Sequence, residues 1–477
     1  MLVQNTHIIA IITPLLLGFL SFIIKDRKPQ IYNIIYLTIF VLFFIFLSYG
    51  IFKLGLLNNQ YYNIVIGGWS KAMGIEIKYN LNCAMILLFL CTLMIIFLTT
   101  IKNGEVSYAV RGFACIMLCG ANGIVITNDI FNSYVFFEII CITTYIMYSH
   151  GKNISCLKNT YNYMILSGFT GVVFLLVAGF LYQITGNLNI DLINKNLIGL
   201  SSNKAVSASF VLFVLVMMFK LGVYPLHNVV LNIYKNLPIK YLIFTTGVSS
   251  IAYPFFIMKF ITQLFGIEIL SNNEYLSVVL KIFGGIGFLF FNSMALSSKK
   301  VIEFIISLSL AQTSLFAFCI PYLNQKSVIN GIIFAISSNT LSKICLLAIL
   351  LKIQTQLSIN DLKKTDISNL SSLVYKTLFI ILLFMIAGMP FSLVFMSKWY
   401  LIVGIFNSSN NLLWLFILIT GFAVDIFACF MFIKQIFAKN ENFLSIKTDY
   451  LFTSVISFAI FLLTFSAFFV GKFNKIL

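Results

Sequence analysis

The stretch Asn128 to Tyr148, NDIFNSYVFFEIICITTYIMY, places the carboxylate of Glu138 in the middle of an apolar run. The run is long enough to cross a bilayer as a helix. A charged side chain at the centre of a bilayer costs about 2.5–3.5 kcal/mol on insertion scales, so it is rare there and usually functional. The stretch therefore predicts a membrane-spanning helix whose carboxylate needs a partner of opposite charge.

The best candidate partner of Glu138 is Lys220, in the equally apolar run Val211 to Leu226 (VLFVLVMMFKLGVYPL). In hydrocarbon surroundings a carboxylate and an ammonium each favour the neutral form alone, and each restores the charge of the other when they meet. We expect such a pair to take up and release protons. The alternative is an ion pair that only holds two helices together.

The composition excludes a soluble globular protein. The chain has 477 residues, of which 60% are hydrophobic and 9% charged, and its mean hydropathy is +1.01, whereas a soluble domain is about 25% charged. The formal net charge of +17 arises mostly from Lys and Arg in short connections between apolar runs, as in cytoplasmic loops that face anionic lipid. No nucleic-acid partner is implied.

Cysteine and histidine usage predicts neither a metal site nor a cofactor. The nine cysteines lie almost all inside apolar runs and form no CxxC pair, so we interpret them as small packing residues. The three histidines, His7, His150 and His227, have no metal-type spacing. The N-terminal run has no basic leader and no cleavage site, which predicts a retained first span.

Apolar runs of about 20 residues predict about fourteen membrane spans in a single integral membrane domain over residues 1–477. We place the spans near 7–24, 32–55, 80–101, 109–127, 130–149, 160–183, 207–231, 240–266, 276–296, 300–321, 328–352, 374–405, 411–437 and 449–471.

The distribution of basic residues predicts the orientation. With the N-terminus outside, the inner connections receive more than twice as many Lys and Arg as the outer ones, so the positive-inside rule puts both termini outside and residues 354–376 in the cytoplasm. The segment Asn58 to Lys78 has Tyr, Ile and Val flanking Gly-Gly-Trp without a helical period. It predicts a small extracytoplasmic hairpin after the second span.

Two spans are predicted to be broken helices. Pro225 interrupts the seventh span beside Gly222, and Pro390 interrupts the twelfth beside Gly388. A proline frees a carbonyl of the preceding turn, which a membrane tolerates only where neighbours or water satisfy it. Gly/Pro-interrupted spans in both halves of a chain are typical of inverted-repeat transporters.

The second half adds further ionisable residues inside spans. Lys343 lies in GIIFAISSNTLSKICLLAILLKI and Lys398 follows the second break. Glu138, Lys220, Lys343 and Lys398 are therefore predicted to form a proton-carrying row along the membrane midplane. The alternative for Lys343 and Lys398 is snorkelling to the membrane surface, which is the interpretation that we favour for Lys259. The polar side chains that we consider as possible relays are His227, Ser250, Gln312 and Asp425.

These segments resemble the antiporter-like, proton-translocating membrane subunits shared by Mrp-type cation/proton antiporters and respiratory complex I. DIFNSYVFFEIICITTY resembles the fifth helix of that family, FKLGVYPLH the broken seventh, NTLSKICLL the eleventh and GMPFSLVFMSKW the twelfth. The hairpin sequence GGWSKAMGIEI and the lysine at position 398 resemble the D-type member of Mrp-type antiporters most closely.

The resemblance implies an all-α fold of fourteen transmembrane helices with two inverted five-helix repeats. In that arrangement residues 1–106 hold the N-terminal helices and hairpin, 107–270 the first repeat, 271–440 the second repeat and 441–477 the C-terminal helix. It implies that protons move along the four midplane residues, without a cofactor. It also implies neighbouring membrane subunits, exchange of a monovalent cation, Na⁺ or K⁺, and a location in the bacterial cytoplasmic membrane.

The chain departs from the family pattern at three places. The lysine of the eighth helix is replaced where GVSSIAY aligns Ser250, a residue that can hold water but no charge. Asn228 to Leu231 stand in place of Phe-Trp-Leu-Pro, and a Pro-Pro-Leu-Ser-Gly stretch is reduced to Pro390, Phe391 and Ser392.

Two other functions remain open at this point. One is a proton-pumping membrane component of the N or M type in NADH:quinone oxidoreductase, which would be part of an enzyme only through its complex. The other is a lipid or polysaccharide flippase, which the single ionisable residues and the lack of arginine clusters disfavour.

Overall fold

A computed structural model describes residues 6–24, 29–56, 62–101, 107–151, 154–198, 203–357, 362–368, 370–408, 412–437 and 447–476. The described chain is almost entirely helical. Its helices are α1 Thr6–Ile24, α2 Pro29–Leu56, α3 Leu81–Thr100, α4 Tyr108–Ile126, α5 Ile130–Ser149, α6 Ile154–Thr185, α7 Ile190–Leu197, α8 Lys204–Leu221, α9 Asn228–Asn236, α10 Ile239–Lys259, α11 Glu268–Asn272, α12 Glu274–Ser297, α13 Val301–Cys319, α14 Lys326–Leu357, α15 Leu373–Ala387, α16 Leu393–Ser408, α17 Leu412–Phe437 and α18 Tyr450–Ile476.

The helices follow the predicted apolar runs, with α8 and α9 together, and α15 and α16 together, replacing one run each. Among the described residues, eleven helices are long and apolar enough to cross a membrane, and four shorter apolar ones accompany them. In a bilayer the backbone must satisfy its own hydrogen bonds, so apolar segments of this length become helices. The short helices α7 and α11 and the π-helical turn Phe260–Phe265 were not predicted.

The first predicted break lies at the end of α8. Gly222 ends the helix in the left-handed conformation, with φ of 65°, which glycine adopts without a Cβ clash. Its N–H donates to Phe219 O at 3.1 Å, and Val223 N–H donates to Met218 O at 3.1 Å. This is the Schellman arrangement, which satisfies two of the carbonyls at a helix end. The chain passes Pro225 before α9 begins.

The second predicted break, at the end of α15, repeats this construction. Gly388 has φ of 89°, its N–H donates to Met385 O at 2.9 Å, and Met389 N–H donates to Phe384 O at 3.1 Å. The carbonyls of Ile386 and Ala387 are left over at this helix end, inside a protein that is otherwise apolar. They need donors from elsewhere in the fold.

Matching main-chain contacts recur in the two halves of the chain. An isolated antiparallel bridge joins Asp129, between α4 and α5, to Asn189, between α6 and α7. A second bridge joins Lys300, between α12 and α13, to Lys363, between α14 and α15. The bridges occupy corresponding points of the two predicted repeats. The inverted orientation of those repeats stays a prediction.

A two-stranded antiparallel pair follows α2, formed by β1 Tyr62–Val65 and β2 Glu76–Tyr79. Glu76 is fully buried and accepts from Asn128 at 2.7 Å and Asn189 at 2.8 Å, and it pairs with Lys71 at 3.0 Å. Burial alone would raise the pKa of Glu76, but these hydrogen bonds outweigh it and hold the pKa below its usual value of 4.5. The strand pair is thereby tied to the α4–α5 connection.

The predicted hairpin spanned 58–78, and residues 58–61 lie outside the described residues. The same holds for part of the connection over 354–376 that the charge distribution assigns to the cytoplasm. The side of the membrane on which each lies stays a prediction.

The most buried helices identify the centre of the fold. α14 is buried along its whole apolar length, and α3 and α10 along most of theirs, whereas α2 and α6 present more than half of theirs to the outside. α10 packs against α4, α5 and α8 of the first half and against α13 and α14 of the second. The α10–α14 contact therefore joins the two halves.

Candidate functional site

Glu138 lies half-buried in α5, with its carboxylate over Gly171 of α6. A Cβ at residue 171 would lie 2.3 Å from Glu138 Oε1, so only glycine leaves room for the carboxylate there. Lys220 is close enough to act on Glu138 electrostatically. Within the described part of the chain, however, the two side chains form no direct ion pair, and the predicted contact is absent.

Lys220, at the end of α8, is instead held by neutral groups. Its ammonium is buried and donates to Ser167 Oγ and, at 3.0 Å, to Cys141 Sγ. It also lies 4.8 Å from the ring centroid of Phe137, within the range of a cation–π contact. The ammonium of Lys220 thus contacts a hydroxyl, a thiol and an aromatic ring. Among the described residues no carboxylate is in contact with it.

Two phenols extend the polar cluster around Lys220. Tyr145 O–H donates to Ser167 Oγ at 2.6 Å, and the hydroxyl of Tyr253 lies 3.8 Å from Cys141 Sγ. Tyr253 belongs to α10, so the cluster reaches the helix that joins the two halves. Our sequence reasoning missed these residues and assigned Cys141 to packing alone. The available signal was its position three residues after Glu138, on the same face of α5.

Lys343 of α14 is buried in the second half, so the snorkelling alternative is wrong for it. Its ammonium donates to Gln312 Oε1 at 2.8 Å and to Leu308 O at 2.6 Å. Gln312 in turn donates to Ala335 O at 2.9 Å. The structure thus brings one predicted relay residue, Gln312, into direct contact with a predicted member of the row.

Lys398 of α16 is also buried, and its ammonium closes the second broken helix. It donates to Ile386 O at 3.2 Å and to Ala387 O at 3.0 Å, the two carbonyls left over at the end of α15. Its third partner is Asp425 Oδ2 of α17 at 2.7 Å. The sequence left the role of Asp425 undecided, and the structure pairs it with Lys398.

A small cavity connects these residues. Gln312, Lys343, Lys398 and Asp425 all line it, together with Asn292. The space open to the centre of a water-sized sphere is about 20 Å³, enough for about one water molecule. Asn292 Oδ1 is buried without a partner among the described residues and faces such a site. Lysine and aspartate side chains around one water position can exchange protons through that water, and a glutamine amide can orient it by hydrogen bonds.

The remaining predicted residues lie apart from these contacts. His227 is buried and stacks on Tyr224, with ring centroids 5.4 Å apart, and its Nδ1 has no hydrogen-bond partner among the described residues. Ser250 is half-buried in α10, one turn before Tyr253. Pro225 and Pro390 lie in the two breaks, between α8 and α9 and between α15 and α16.

Lys259, for which we expected snorkelling, is buried with 4% exposure. Its ammonium donates to Val125 O at 3.1 Å and to Thr127 O. The lysine therefore caps the C-terminal end of α4, and the snorkelling interpretation is wrong. Among the residues that the structure describes, no three His, Cys, Asp or Glu side chains group in a way that would hold a metal ion.

The fold and these contacts define the class: a polytopic membrane protein with buried lysines that contact polar partners inside its helix bundle. The family model described as NADH:quinone oxidoreductase/Mrp antiporter, TM, matches residues 127–423. The chain belongs to this family.

Two similar proteins agree with this assignment. The chain is 25% identical over 230 residues to the D subunit of the Na(+)/H(+) antiporter of Alkalihalophilus pseudofirmus, covering 47% of this chain and 46% of that protein. It thus spans under half of that relative's length. It is 24% identical over 376 residues to the N subunit of the NADH-quinone oxidoreductase of Desulforudis audaxviator, covering 76% and 72%.

The fold matches a solved structure over most of its length. A chain of the Mrp complex from Dietzia sp. superimposes with a TM-score of 0.80 at 14% identity, covering 92% of this chain and 81% of that one. The superposition shows a common fold, and at this identity it shows the fold alone.

Proposed function

We propose that this chain is a proton-conducting subunit of a multisubunit monovalent cation/proton antiporter in a bacterial cytoplasmic membrane. The observation that carries the proposal is the cavity that joins Lys343, Gln312, Lys398 and Asp425. Helices α13, α14, α16 and α17 each supply one of these ionisable or amide side chains to one water-sized site. Burial of such groups is costly, which favours a transport role over a structural one.

The path begins in the first half at Glu138 and Lys220. The two side chains are apart, and the ammonium of Lys220 donates to Ser167 and Cys141 instead. A shift of the Lys220 side chain toward Glu138 would close the pair. Two unit charges at about 4 Å interact by roughly 4 kcal/mol at an effective dielectric near 20. Closing and opening the pair changes the energy of the charged lysine by an amount that is sufficient to drive proton transfer.

The path continues in the second half. Lys343 contacts Gln312, and Lys398 contacts Asp425, across the shared cavity. Tyr253 and Ser250 belong to α10, the helix that joins the halves, and Ser250 stands where the family pattern has a lysine. A hydroxyl relays a proton through water without holding a charge. His227 is a candidate relay beside the first break.

The finer architecture that we propose has fourteen spans, two inverted five-helix repeats and both termini outside. The matching bridges and the two Schellman ends support the repeats. Partners are other membrane subunits, since the named relatives are themselves single components of larger assemblies. Na⁺ or K⁺ is the exchanged cation, and the similarity to a subunit of an Na(+)/H(+) antiporter supports Na⁺.

The test is cation-driven proton movement in membrane vesicles that contain the chain with its native partners. Glu138→Gln and Lys343→Met each remove one ionisable member of the row and should reduce proton movement per assembled complex by about 100-fold, the scale of a lost proton-transfer group. Unchanged movement in both variants would refute the proposal.

A second candidate is a proton-pumping component of a quinone-reducing complex. The alignment with the NADH-quinone oxidoreductase relative, which covers 72% of that protein, supports this candidate. Mass identification of the proteins that copurify from mild detergent separates the two candidates. Small antiporter subunits support the first, and redox subunits support the second.

A further inference from the structure

A second, larger cavity lies where α3, α7, α10 and α14 meet, on the side of the β1–β2 pair. This cavity, which we call the vestibule, holds about 430 Å³ open to water-sized spheres. Its lining residues include Lys78, Asn82, Asp191, Lys259, Lys326 and Asn330. It shares none of its lining with the small cavity around Lys343. The mechanism described above does not use it.

The exposure of the lining residues falls from charged residues at the surface to a buried lysine. Lys326 is exposed, Asn82 is half-buried, and Lys259 is 4% exposed. A space of this volume with amide and ammonium groups along its wall holds several waters. The buried ammonium of Lys259 therefore borders water although it lies within the fold.

The titratable groups that line the vestibule with Lys259 come from four elements. α3 supplies Cys83, β2 supplies Lys78, α7 supplies Asp191 and α14 supplies Lys326. Asp191 pairs with Lys78. Within the described residues Lys259 has no carboxylate in contact, and its partners are the carbonyls of Val125 and Thr127.

Lys259 shares helix α10 with Tyr253, a member of the cluster around Lys220. It lies six residues after Tyr253 on α10, about 9 Å along the helix axis, and Tyr253 contacts Cys141, which contacts Lys220. The vestibule thus leads from one membrane face toward the helix that joins the two halves.

We propose that Lys259 is a further proton-exchange residue, at which the path meets water in the vestibule. This inference rests on the proposed function. A lysine that only caps α4 needs its donors, whereas a lysine that exchanges protons must also lose its charge. Arginine separates these roles, because it keeps the donors and cannot release its proton.

The test compares Lys259→Arg with Lys364→Arg in vesicles that contain the whole complex. Lys364 is a matched control, because it is buried, donates to Ala295 O at 3.2 Å near the end of α12, and lines none of the cavities described above. We expect Lys259→Arg to lower proton movement per assembled complex at least about tenfold. Lys364→Arg should stay within about twofold of the parent.

Each outcome decides between the inference and the function. If Lys259→Arg keeps the parental rate while Lys343→Met loses it, Lys259 is only a cap and the inference is wrong, although the proposed function stands. The inference is also wrong if Lys364→Arg falls as far as Lys259→Arg, since capping would then explain both. If Glu138→Gln and Lys343→Met both transport normally, the function itself fails.

Water access is tested separately by cysteine substitution. Asn82→Cys places a thiol in the vestibule, and Asn292→Cys places one in the small cavity. The nine native cysteines are all buried, but Cys83 lines the vestibule, so both variants carry Cys83→Ser to remove its background reaction. A charged thiol reagent should modify Asn82→Cys from one membrane face only and much faster than Asn292→Cys. If the reagent modifies Asn82→Cys as slowly as Asn292→Cys, the vestibule is closed to water.

Discussion

The Lys398–Asp425 pair gives the sharpest test of the second half of the path. Asp425→Asn keeps an oxygen acceptor for the ammonium and removes its counter-charge. At 2.7 Å and an effective dielectric of about 20, the charges attract by about 6 kcal/mol before desolvation. The carbonyls of Ile386 and Ala387 remain as partners and offset part of the loss. We expect a net destabilisation of about 3–5 kcal/mol, typical of a broken buried pair.

Two assays read this change: thermal unfolding of the purified complex in detergent, and proton movement in vesicles per assembled complex. Asp449→Asn is the matched control. Asp449 pairs with Lys352 at 2.9 Å; the lysine side chain is 4% exposed but the aspartate side chain is 42% exposed, so water screens the aspartate and the loss should be smaller than for Asp425→Asn, and transport should persist. The reasoning fails if Asp425→Asn unfolds at the same temperature as Asp449→Asn and transports as fast.

Two further predictions concern the first half. Gly171→Ala adds a Cβ that would lie 2.3 Å from Glu138 Oε1, so it should displace the carboxylate and slow proton movement in the vesicle assay. Gly168→Ala in the same helix is the control: its Cβ meets nothing within 4 Å among the described residues, so the rate of proton movement should not change. Equal rates for both would show that the position of Glu138 does not matter. Glu76→Ala leaves the buried amides of Asn128 and Asn189 without their acceptor, at about 1–3 kcal/mol each. Because the folded pKa of Glu76 is lowered, its stabilisation is complete above the unfolded value near 4.5 and disappears as the pH falls through the folded pKa. Melting curves at a series of pH values should therefore separate Glu76→Ala from the parent most at pH 7 and less in acid, where the protonated carboxyl still accepts from the two amides, and a constant difference would contradict this account.

Properties that depend on a single helix were predictable from the sequence. The apolar runs locate the helices because a bilayer-length apolar segment has few other ways to satisfy its backbone. The two breaks were predictable from Gly222 with Pro225 and from Gly388 with Pro390, since glycine permits the left-handed end and proline stops continuation. The buried lysines of the row were likewise visible as single charges inside apolar runs.

Contacts between helices were harder to predict. Lys220 meets Ser167 and Cys141, and nothing in the local sequence of α8 shows which face of α6 it will touch. The rotation of each helix about its axis is set by packing against several neighbours at once. The same applies to Lys259: its position near a helix end suggests snorkelling, but the end of α4 offers two carbonyls that bury it.

The two halves hold their lysines in different ways, and the difference bears on transport. In the first half Lys220 contacts a hydroxyl and a thiol while Glu138 stands apart. In the second half Lys398 contacts Asp425 directly. A chain of ionisable sites passes a proton only if one site can release it while the next can accept it, so identical, equally paired sites would hold their charges in place. One pair apart and one pair together is the asymmetry that a stepwise transfer requires. Within the proposed function, the structure therefore corresponds to a stage in which the first pair is open and the second is closed.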